Sequence, residues 1–170
     1  MDLRTIKTKK AIEEAFLTIR AKKDLENIKV SELCALALIN KTTFYNYYSD
    51  IYELSEELEN KYLEQCFYGF NGYDCLFKNT ENFIRGIYYS FYNNNTIQVL
   101  FSNRIAMLVN KTQNYLLEFY KKEINTDEKK MCVIFIIQGA FILLNYKSKE
   151  EEKLKLLIEI TNSIIKQKFN

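Results

Sequence analysis

The chain has 170 residues, of which 48% are hydrophobic and 27% charged, and its formal net charge of +2 is typical of a globular protein. It contains no histidine and four glycines, which excludes histidine-dependent nucleophiles, the familiar histidine-containing zinc sites and glycine-rich phosphate loops. We therefore predict a protein that is not an enzyme and that holds no metal and no cofactor.

The cysteine pattern and the hydropathy indicate the compartment. The four cysteines form no CxxC pair, and no apolar signal segment follows the basic start of the chain. We interpret the cysteines as reduced thiols of a cytoplasmic protein, mostly core residues, with a redox-sensing pair as the alternative. The most apolar run, residues 131–144, is shorter than the roughly 20 residues of a membrane span, so we predict no membrane contact.

Helical periodicity begins near the N-terminus. Apolar residues at i, i+3, i+4 and i+7 predict a helix over about residues 5–22, with one buried face. That face consists of Ile12, Ala15, Phe16 and Ile19. A short second helix is predicted over 31–38 with Ser31 as its N-cap, and a third over 41–48 with Asn40 as its N-cap.

A fourth helix is predicted to begin after Asp50, whose spacing to Glu53 matches a capping box. We expect it to end near residues 67–70 and to be followed by a loop over 70–82. Helical faces return around residue 83, and the stretch 96–122 is predicted to form one helix or a broken pair.

The C-terminal part is predicted to end in two long helices. Thr126 is the expected N-cap of a helix that includes the run 131–144 and is buried on several faces. Ser148 and Glu151 have capping-box spacing for a last helix that reaches about Lys168. The whole pattern predicts an all-α fold with about nine helices.

Residues 31–48 have the pattern of a helix-turn-helix, in which the second helix presents its N-terminal side chains to the major groove. That helix opens with a lysine and two threonines, which suit base edges and phosphates, and its tyrosines can donate to phosphates. The tyrosines could instead pack in the core, and the threonines could act as helix caps. These residues are Lys41, Thr42, Thr43, Tyr45 and Tyr47.

Three motifs extend this pattern: Ile12-x-x-Ala15-Phe16, then VSEL over 30–33, then ALINKTTFYNYYSD over 37–50 with a following Glu-Leu pair. With them, residues 5–60 resemble the DNA-binding domain of TetR-type (TetR/AcrR) transcriptional regulators. The family usually has glycine in the turn, where this chain has Leu38, and lysine where it has Ile51. The first difference implies a turn without a left-handed glycine, and the second predicts weaker or differently balanced DNA binding.

The resemblance implies an N-terminal three-helix DNA-binding domain over 1–50 and a helical regulatory and dimerisation domain over 51–170. It implies a homodimer through the last two helices, although these helices could merely close the monomer core. The partner is then double-stranded DNA with a palindromic operator. The implied DNA-binding residues are Ser31, Lys41, Thr42, Thr43, Tyr45, Asn46 and Tyr47.

Aromatic residues concentrate in the middle of the chain and could line a cavity for an unknown small-molecule effector. Ordinary core packing is the alternative for each of them. The candidate ligand-binding residues are Phe67, Phe83, Tyr88, Phe91, Phe101, Met107, Tyr115 and Phe119.

The principal interpretation is a homodimeric repressor that binds its operator through the helix-turn-helix and is released by an inducer. The alternative is an adaptor of the same fold that acts mainly through protein partners and binds DNA weakly. The small net charge and the absence of lysine at position 51 motivate that alternative.

Overall fold

The computed structural model describes residues 3–68 and 75–169, and over these ranges it contains helices and turns and no strand. The prediction of an all-α fold is confirmed. A 3₁₀ helix covers Leu25–Asn27, and ten α-helices lie in the described ranges. They are α1 (Leu3–Arg20), α2 (Val30–Leu36), α3 (Lys41–Tyr45), α4 (Ile51–Tyr68), α5 (Cys75–Lys78), α6 (Thr80–Tyr92), α7 (Asn95–Leu100), α8 (Ile105–Phe119), α9 (Asp127–Leu144) and α10 (Glu150–Lys168). None of the described helices is long and apolar enough to cross a membrane.

The chain forms two compact units. The first consists of Met1–Glu64 together with Asn94–Asn103, and the second consists of Gln65–Asn93 together with Arg104–Asn170. The two units therefore divide inside α4, and α7 belongs to the first of them. The predicted functional boundary at residue 50 does not coincide with this division.

The core of the first unit is built on the predicted face of α1. All four residues of that face are buried, as expected from their helical spacing. Helix α1 packs against α2 and α7, and α2, α3 and α4 add the fully buried side chains of Leu33, Phe44 and Leu54 to the core of this unit. Burial of each such apolar side chain stabilises the fold by about 1.5–3 kcal/mol.

Arg20 fixes α7 in the first unit. Its side chain is buried, and its guanidinium donates hydrogen bonds to the carbonyl oxygens of Lys23 at 3.0 Å and of Ser102 at 2.5 Å. A longer bond of 3.5 Å reaches the carbonyl of Leu100, the last residue of α7. A cation at the C-terminal end of a helix is favourable because the carbonyls there carry partial negative charge.

The second unit contains the last two helices as an antiparallel pair, with α8 against α9 and α6 against α10. The residues of α10 that face inward include Leu154, Leu157 and Ile165. Arg85 connects α6 to α10, because its guanidinium donates two hydrogen bonds to the Glu151 carboxylate, one of them 3.0 Å long.

The cysteines behave mostly as core residues. Cys34 and Cys66 are buried, whereas Cys132 is half-buried. Burial raises the pKa of the Cys34 thiol, and the charge of Lys41 partly opposes this effect. The side chain of Cys75 lies outside what the structure describes.

Several local predictions were wrong. Helix α2 begins at Val30 with Lys29 at the N-cap position, so Ser31 is not the cap. Ser148 does not cap α10, since Lys149 occupies that position and the Ser148 hydroxyl donates to Glu152 instead. The predicted loop over 70–82 contains α5 and the start of α6, and its residues 70–74 lie outside the described ranges.

The termini of α3 and the burial of α9 also differ from the prediction. Helix α3 ends at Tyr45, and of the predicted helical residues 46–48 the first two form a turn and the third is not helical. Helix α9 was expected to be buried on several faces, but Val133 and Ile137 are its buried residues. Of the two alternatives predicted for 96–122, one helix or a broken pair, the broken pair is confirmed as α7 and α8.

Candidate nucleic-acid interface

The turn between α2 and α3 ends α2 in a left-handed residue. Leu38 has φ of 56°, the backbone N–H of Ile39 donates to the Cys34 carbonyl at 3.0 Å, and that of Leu38 donates to the Ala35 carbonyl at 3.4 Å. These two bonds are those of a Schellman motif, in which glycine normally takes the left-handed position. The turn thus lacks the glycine but keeps the left-handed conformation, which Leu38 adopts at a steric cost.

Asn40 and Phe44 position α3. The side-chain oxygen of Asn40 accepts a hydrogen bond from the backbone N–H of Thr43 at 2.7 Å, which confirms Asn40 as the N-cap. Phe44 is fully buried, and its ring lies 5.8 Å from that of buried Tyr48. Because one side of this short helix is buried, the remaining side faces solvent.

The residues predicted to bind DNA lie on α2, on α3 and in the turn that follows α3, and each is at least partly accessible. Ser31 on α2 is exposed, Thr43 and Tyr47 are half-buried, and the other four are exposed. Tyr45 is 54% exposed, although its ring also touches the edge of Phe44 at 5.4 Å. These four are Lys41, Thr42, Tyr45 and Asn46.

Some charged side chains near this surface are already paired within the chain and others are not. Lys9 of α1 forms an ion pair of 3.0 Å with Glu57 of α4. The hydroxyl of Tyr48 donates to the same carboxylate at 3.1 Å, and burial together with the Glu57 charge raises the pKa of Tyr48. Lys41 forms no ion pair within the described residues, so its charge is free to attract an anion.

A second ion-paired cluster joins α1 to α4. Glu13 accepts hydrogen bonds from the Lys61 ammonium at 2.6 Å and from the Tyr62 hydroxyl at 2.6 Å. Burial, followed by the bond to Glu13, raises the pKa of Tyr62 to about 12. The sequence prediction did not identify Glu13 or Glu57 as partners, because they are separated from these lysines by 48 residues.

The start of α4 is capped from both sides. The Asp50 carboxylate accepts from the backbone N–H of Glu53 at 2.8 Å, which confirms Asp50 as the N-cap residue. The Glu53 carboxylate accepts in turn from the backbone N–H and the hydroxyl of Ser49, both at 2.6 Å, and these bonds lower its pKa. Ile51 is buried, so its side chain is part of the core of the first unit.

The candidate ligand-binding residues fall into different surroundings. Phe101 is buried in the first unit, whereas the other seven belong to the second unit. There the Phe67 ring stacks on Tyr115 at 4.4 Å, and Tyr115 stacks on Phe119 at 6.3 Å. Phe91 meets Phe67 edge-on at 5.9 Å. The structure thus brings Phe67, Phe91, Tyr115 and Phe119 together as packed rings.

The remaining three candidates are not among these four rings. Phe83 is buried and is joined to them through Tyr120, whose ring lies 6.2 Å from Phe83 and 4.9 Å from Phe119. Tyr88 stacks on Tyr92 at 5.4 Å, and Met107 is exposed. Over residues 3–68 and 75–169, no group of three cysteine or acidic side chains is arranged to hold a metal ion.

Comparison of the chain with protein-family models, with curated proteins and with solved structures found no match.

Proposed function

We propose that this chain is a homodimeric transcriptional repressor of the TetR type, which binds a palindromic DNA operator through α2 and α3. One observation carries this proposal. Helix α3 is anchored by the fully buried Phe44, while Lys41, Thr42 and Tyr45 remain exposed beside it. A short helix fixed on one side and polar on the other suits insertion into a major groove.

The chemistry of α3 supports contacts with both phosphates and bases. Lys41 stands at the N-terminal end of α3 without an ion-pair partner in the described chain, and phosphate oxygens attract such a cation. Thr42 and Asn46 carry small polar groups that can bond base edges. The phenol groups of Tyr45 and Tyr47 can donate to phosphates on either side of the groove.

The regulatory part of the proposal assigns the second unit to dimerisation and effector binding. Large apolar residues on α9 and α10 are exposed in the single chain, which favours an interface between copies. An effector would bind among the aromatic residues and act by its different affinity for the DNA-bound and free arrangements.

The test is selection of bound fragments from random double-stranded DNA, followed by titration of the recovered fragment at several salt concentrations. We expect an inverted repeat and an affinity that falls steeply with salt. The triple variant Lys41→Ala, Tyr45→Ala, Tyr47→Ala should lose this binding. A control triple variant of the same residue types, Lys122→Ala, Tyr89→Ala, Tyr92→Ala, should retain it. Full affinity in the first variant would refute the assigned surface.

The adaptor hypothesis has one observation in its favour. Leu36 and Leu38, next to α3, are both exposed, and exposed leucines are typical of surfaces that bind proteins. Two results together would favour the adaptor. No DNA fragment would be retarded at low salt, and a partner would be captured by the wild-type protein but not by a Leu36→Ser, Leu38→Ser variant.

A further inference from the structure

The first turns of α1 concentrate positive charge on the surface of the first unit. Residues 3–12 include four basic side chains and no acidic one. Three of them, Arg4, Lys7 and Lys10, are exposed, and the buried face of α1 begins only at Ile12. We call these three residues the basic end of α1.

The order of charges along α1 is the reverse of the order that a helix by itself favours. The N-terminal end of a helix carries partial positive charge, so acidic side chains are stabilising there and basic ones are unfavourable. Helix α10 follows this rule, with three glutamates in its first turn and two lysines in its last. Helix α1 has no acidic residue in its first turn, and its glutamates follow at Glu13 and Glu14. The stability of the helix therefore does not account for the charge at this end.

Ion pairs within the chain compensate little of this charge. Lys10 lies 3.8 Å from Glu14, but both side chains are at least 67% exposed, and an ion pair of that kind contributes little. Lys7 forms no ion pair with any residue of 3–68 or 75–169. Because Lys7 and Lys10 are three residues apart, they lie on one side of α1 and present two charges to the same partner.

Lys9 places this end of α1 beside the residues that follow α3. Its ammonium group lies 5.2 Å from the centre of the Tyr48 ring, and both side chains bind the Glu57 carboxylate. Tyr48 comes directly after Tyr47, which is one of the residues proposed to contact phosphate. Lys7 precedes Lys9 by two residues, or about 3 Å along the helix axis. The basic end is therefore continuous with the proposed DNA-binding surface.

We propose that the basic end of α1 binds the phosphate backbone of DNA beside the groove that α3 enters. The inference rests on the proposed function and adds a contact outside the helix-turn-helix. Double-stranded DNA carries one negative charge per about 1.7 Å of its axis, so phosphates border any groove that α3 reaches. Phosphate contacts carry no base information. The basic end therefore raises the affinity for every sequence and leaves the choice of operator to α3.

An anionic lipid surface is the competing partner for this end of α1. Leu3 and Ile6 are exposed among the basic residues, and a basic amphipathic helix can lie on such a surface. The contact of Lys9 with Tyr48 favours DNA, because it holds the basic end next to a helix whose exposed side is polar.

The salt dependence of DNA binding tests the contact. The variant Lys7→Ala, Lys10→Ala is compared with the wild type on the fragment recovered from random DNA. Loss of two phosphate contacts lowers the slope of log affinity against log salt by about 1.8 for each half-site. The affinity advantage of the wild type should then shrink about 12-fold per half-site between about 50 and about 200 mM salt.

A matched control removes the same charge elsewhere. Lys122→Ala, Lys155→Ala changes two exposed lysines of the second unit and should keep the wild-type slope. Selection from random DNA with the Lys7→Ala, Lys10→Ala variant should recover the same inverted repeat as the wild type, because phosphate contacts do not select bases.

Urea unfolding separates DNA binding from folding. Alanine is the best helix former, and removal of two cations near the positive end of α1 is favourable. The urea midpoint of Lys7→Ala, Lys10→Ala should therefore stay equal or rise while its DNA affinity falls. A role of these lysines in folding alone would lower both together and would overturn the inference.

Neutral methylphosphonate linkages locate the contact on the DNA. Each linkage removes the charge of one phosphate. At the phosphates that the basic end binds, it should weaken the wild type and have no further effect on the Lys7→Ala, Lys10→Ala variant. The same response of both chains to every linkage would contradict the proposal.

The remaining outcomes separate the two proposals. Equal salt slopes of the wild type and the Lys7→Ala, Lys10→Ala variant would overturn this inference alone. Binding of the wild type but not the variant to vesicles of phosphatidylserine and phosphatidylcholine would then assign the basic end to a membrane surface. A wild-type chain that binds no DNA at low salt would refute the proposed function itself, and this inference with it.

Discussion

Leu38 offers a test of the left-handed turn between α2 and α3. The backbone φ of Leu38 is 56°, and its side chain is 92% exposed. The side chain therefore buries little apolar surface, whereas its Cβ atom is disfavoured in this left-handed conformation. Removal of the Cβ atom relieves a steric cost of about 1–2 kcal/mol. The greater conformational freedom of glycine in the unfolded chain offsets about 0.5–1 kcal/mol of that gain. We therefore expect Leu38→Gly to stabilise the protein by about 0.5–1 kcal/mol.

The assay is urea unfolding followed by far-ultraviolet circular dichroism, with a thermal scan in parallel. For a chain of this length the gain corresponds to a rise in Tm of about 1–4 °C. Leu38→Ala keeps a Cβ atom in the same conformation and should show no such gain. Leu36→Gly, in the last turn of α2, should lower stability by about 1 kcal/mol.

The sign of the change in the free energy of unfolding shows whether the left-handed backbone at Leu38 costs stability. If Leu38→Gly and Leu38→Ala change the urea midpoint equally, side-chain loss and not backbone conformation would be responsible. If Leu38→Gly destabilises as much as Leu36→Gly, the left-handed turn carries no steric cost, and the reasoning is refuted.

Three further changes have defined outcomes. Tyr62→Phe should lower the urea midpoint more at about pH 8 than at about pH 11, because a pKa raised by burial and by Glu13 adds stability that is lost as pH rises. Glu53→Gln should lower the midpoint at about pH 7 more than at about pH 4, because the carboxylate bonded to Ser49 has a lowered pKa and its contribution is lost as pH falls. Phe44→Ala should cost about 3–5 kcal/mol in chemical unfolding, since it empties a fully buried site.

Each of these has a contradicting outcome. A gap between wild type and Tyr62→Phe that is the same at both pH values would exclude the hydroxyl as the source of the pH dependence. Glu56 on the same helix is exposed, so an equal response of Glu56→Gln would show a general charge effect instead of the Ser49 bonds. A loss of less than about 1 kcal/mol in Phe44→Ala would mean that α3 is not anchored through this ring.

The sequence predicted the elements whose signals are local. The face of α1 follows from apolar spacing alone, and the caps at Asn40 and Thr126 follow from side chains that reach a backbone N–H three residues ahead. The all-helical class follows from the same periodicity along the whole chain.

The remaining features depend on contacts distant in sequence. Ser31 and Ser148 look like N-caps by residue type, but their helices begin one residue before Ser31 and two residues after Ser148. The pairing of Lys9 with Glu57 joins residues in two helices, and burial of Arg20 depends on a turn 82 residues away. Leu38 gives no local signal of a left-handed backbone, because leucine rarely adopts it.

Residues 94–103 belong to the first unit although part of the second unit precedes them in sequence. This arrangement has a consequence for engineering. Arg20 donates to carbonyls of Leu100 and Ser102, so a fragment cut after α4 would expose apolar residues of α1 that face α7 and would remove two of the carbonyl acceptors of the Arg20 guanidinium. Such a fragment should behave as an incomplete module, however well its own helices form. A transplantable version of this unit therefore has to be built from two pieces of chain, with residues 94–103 rejoined to α4 by a designed linker.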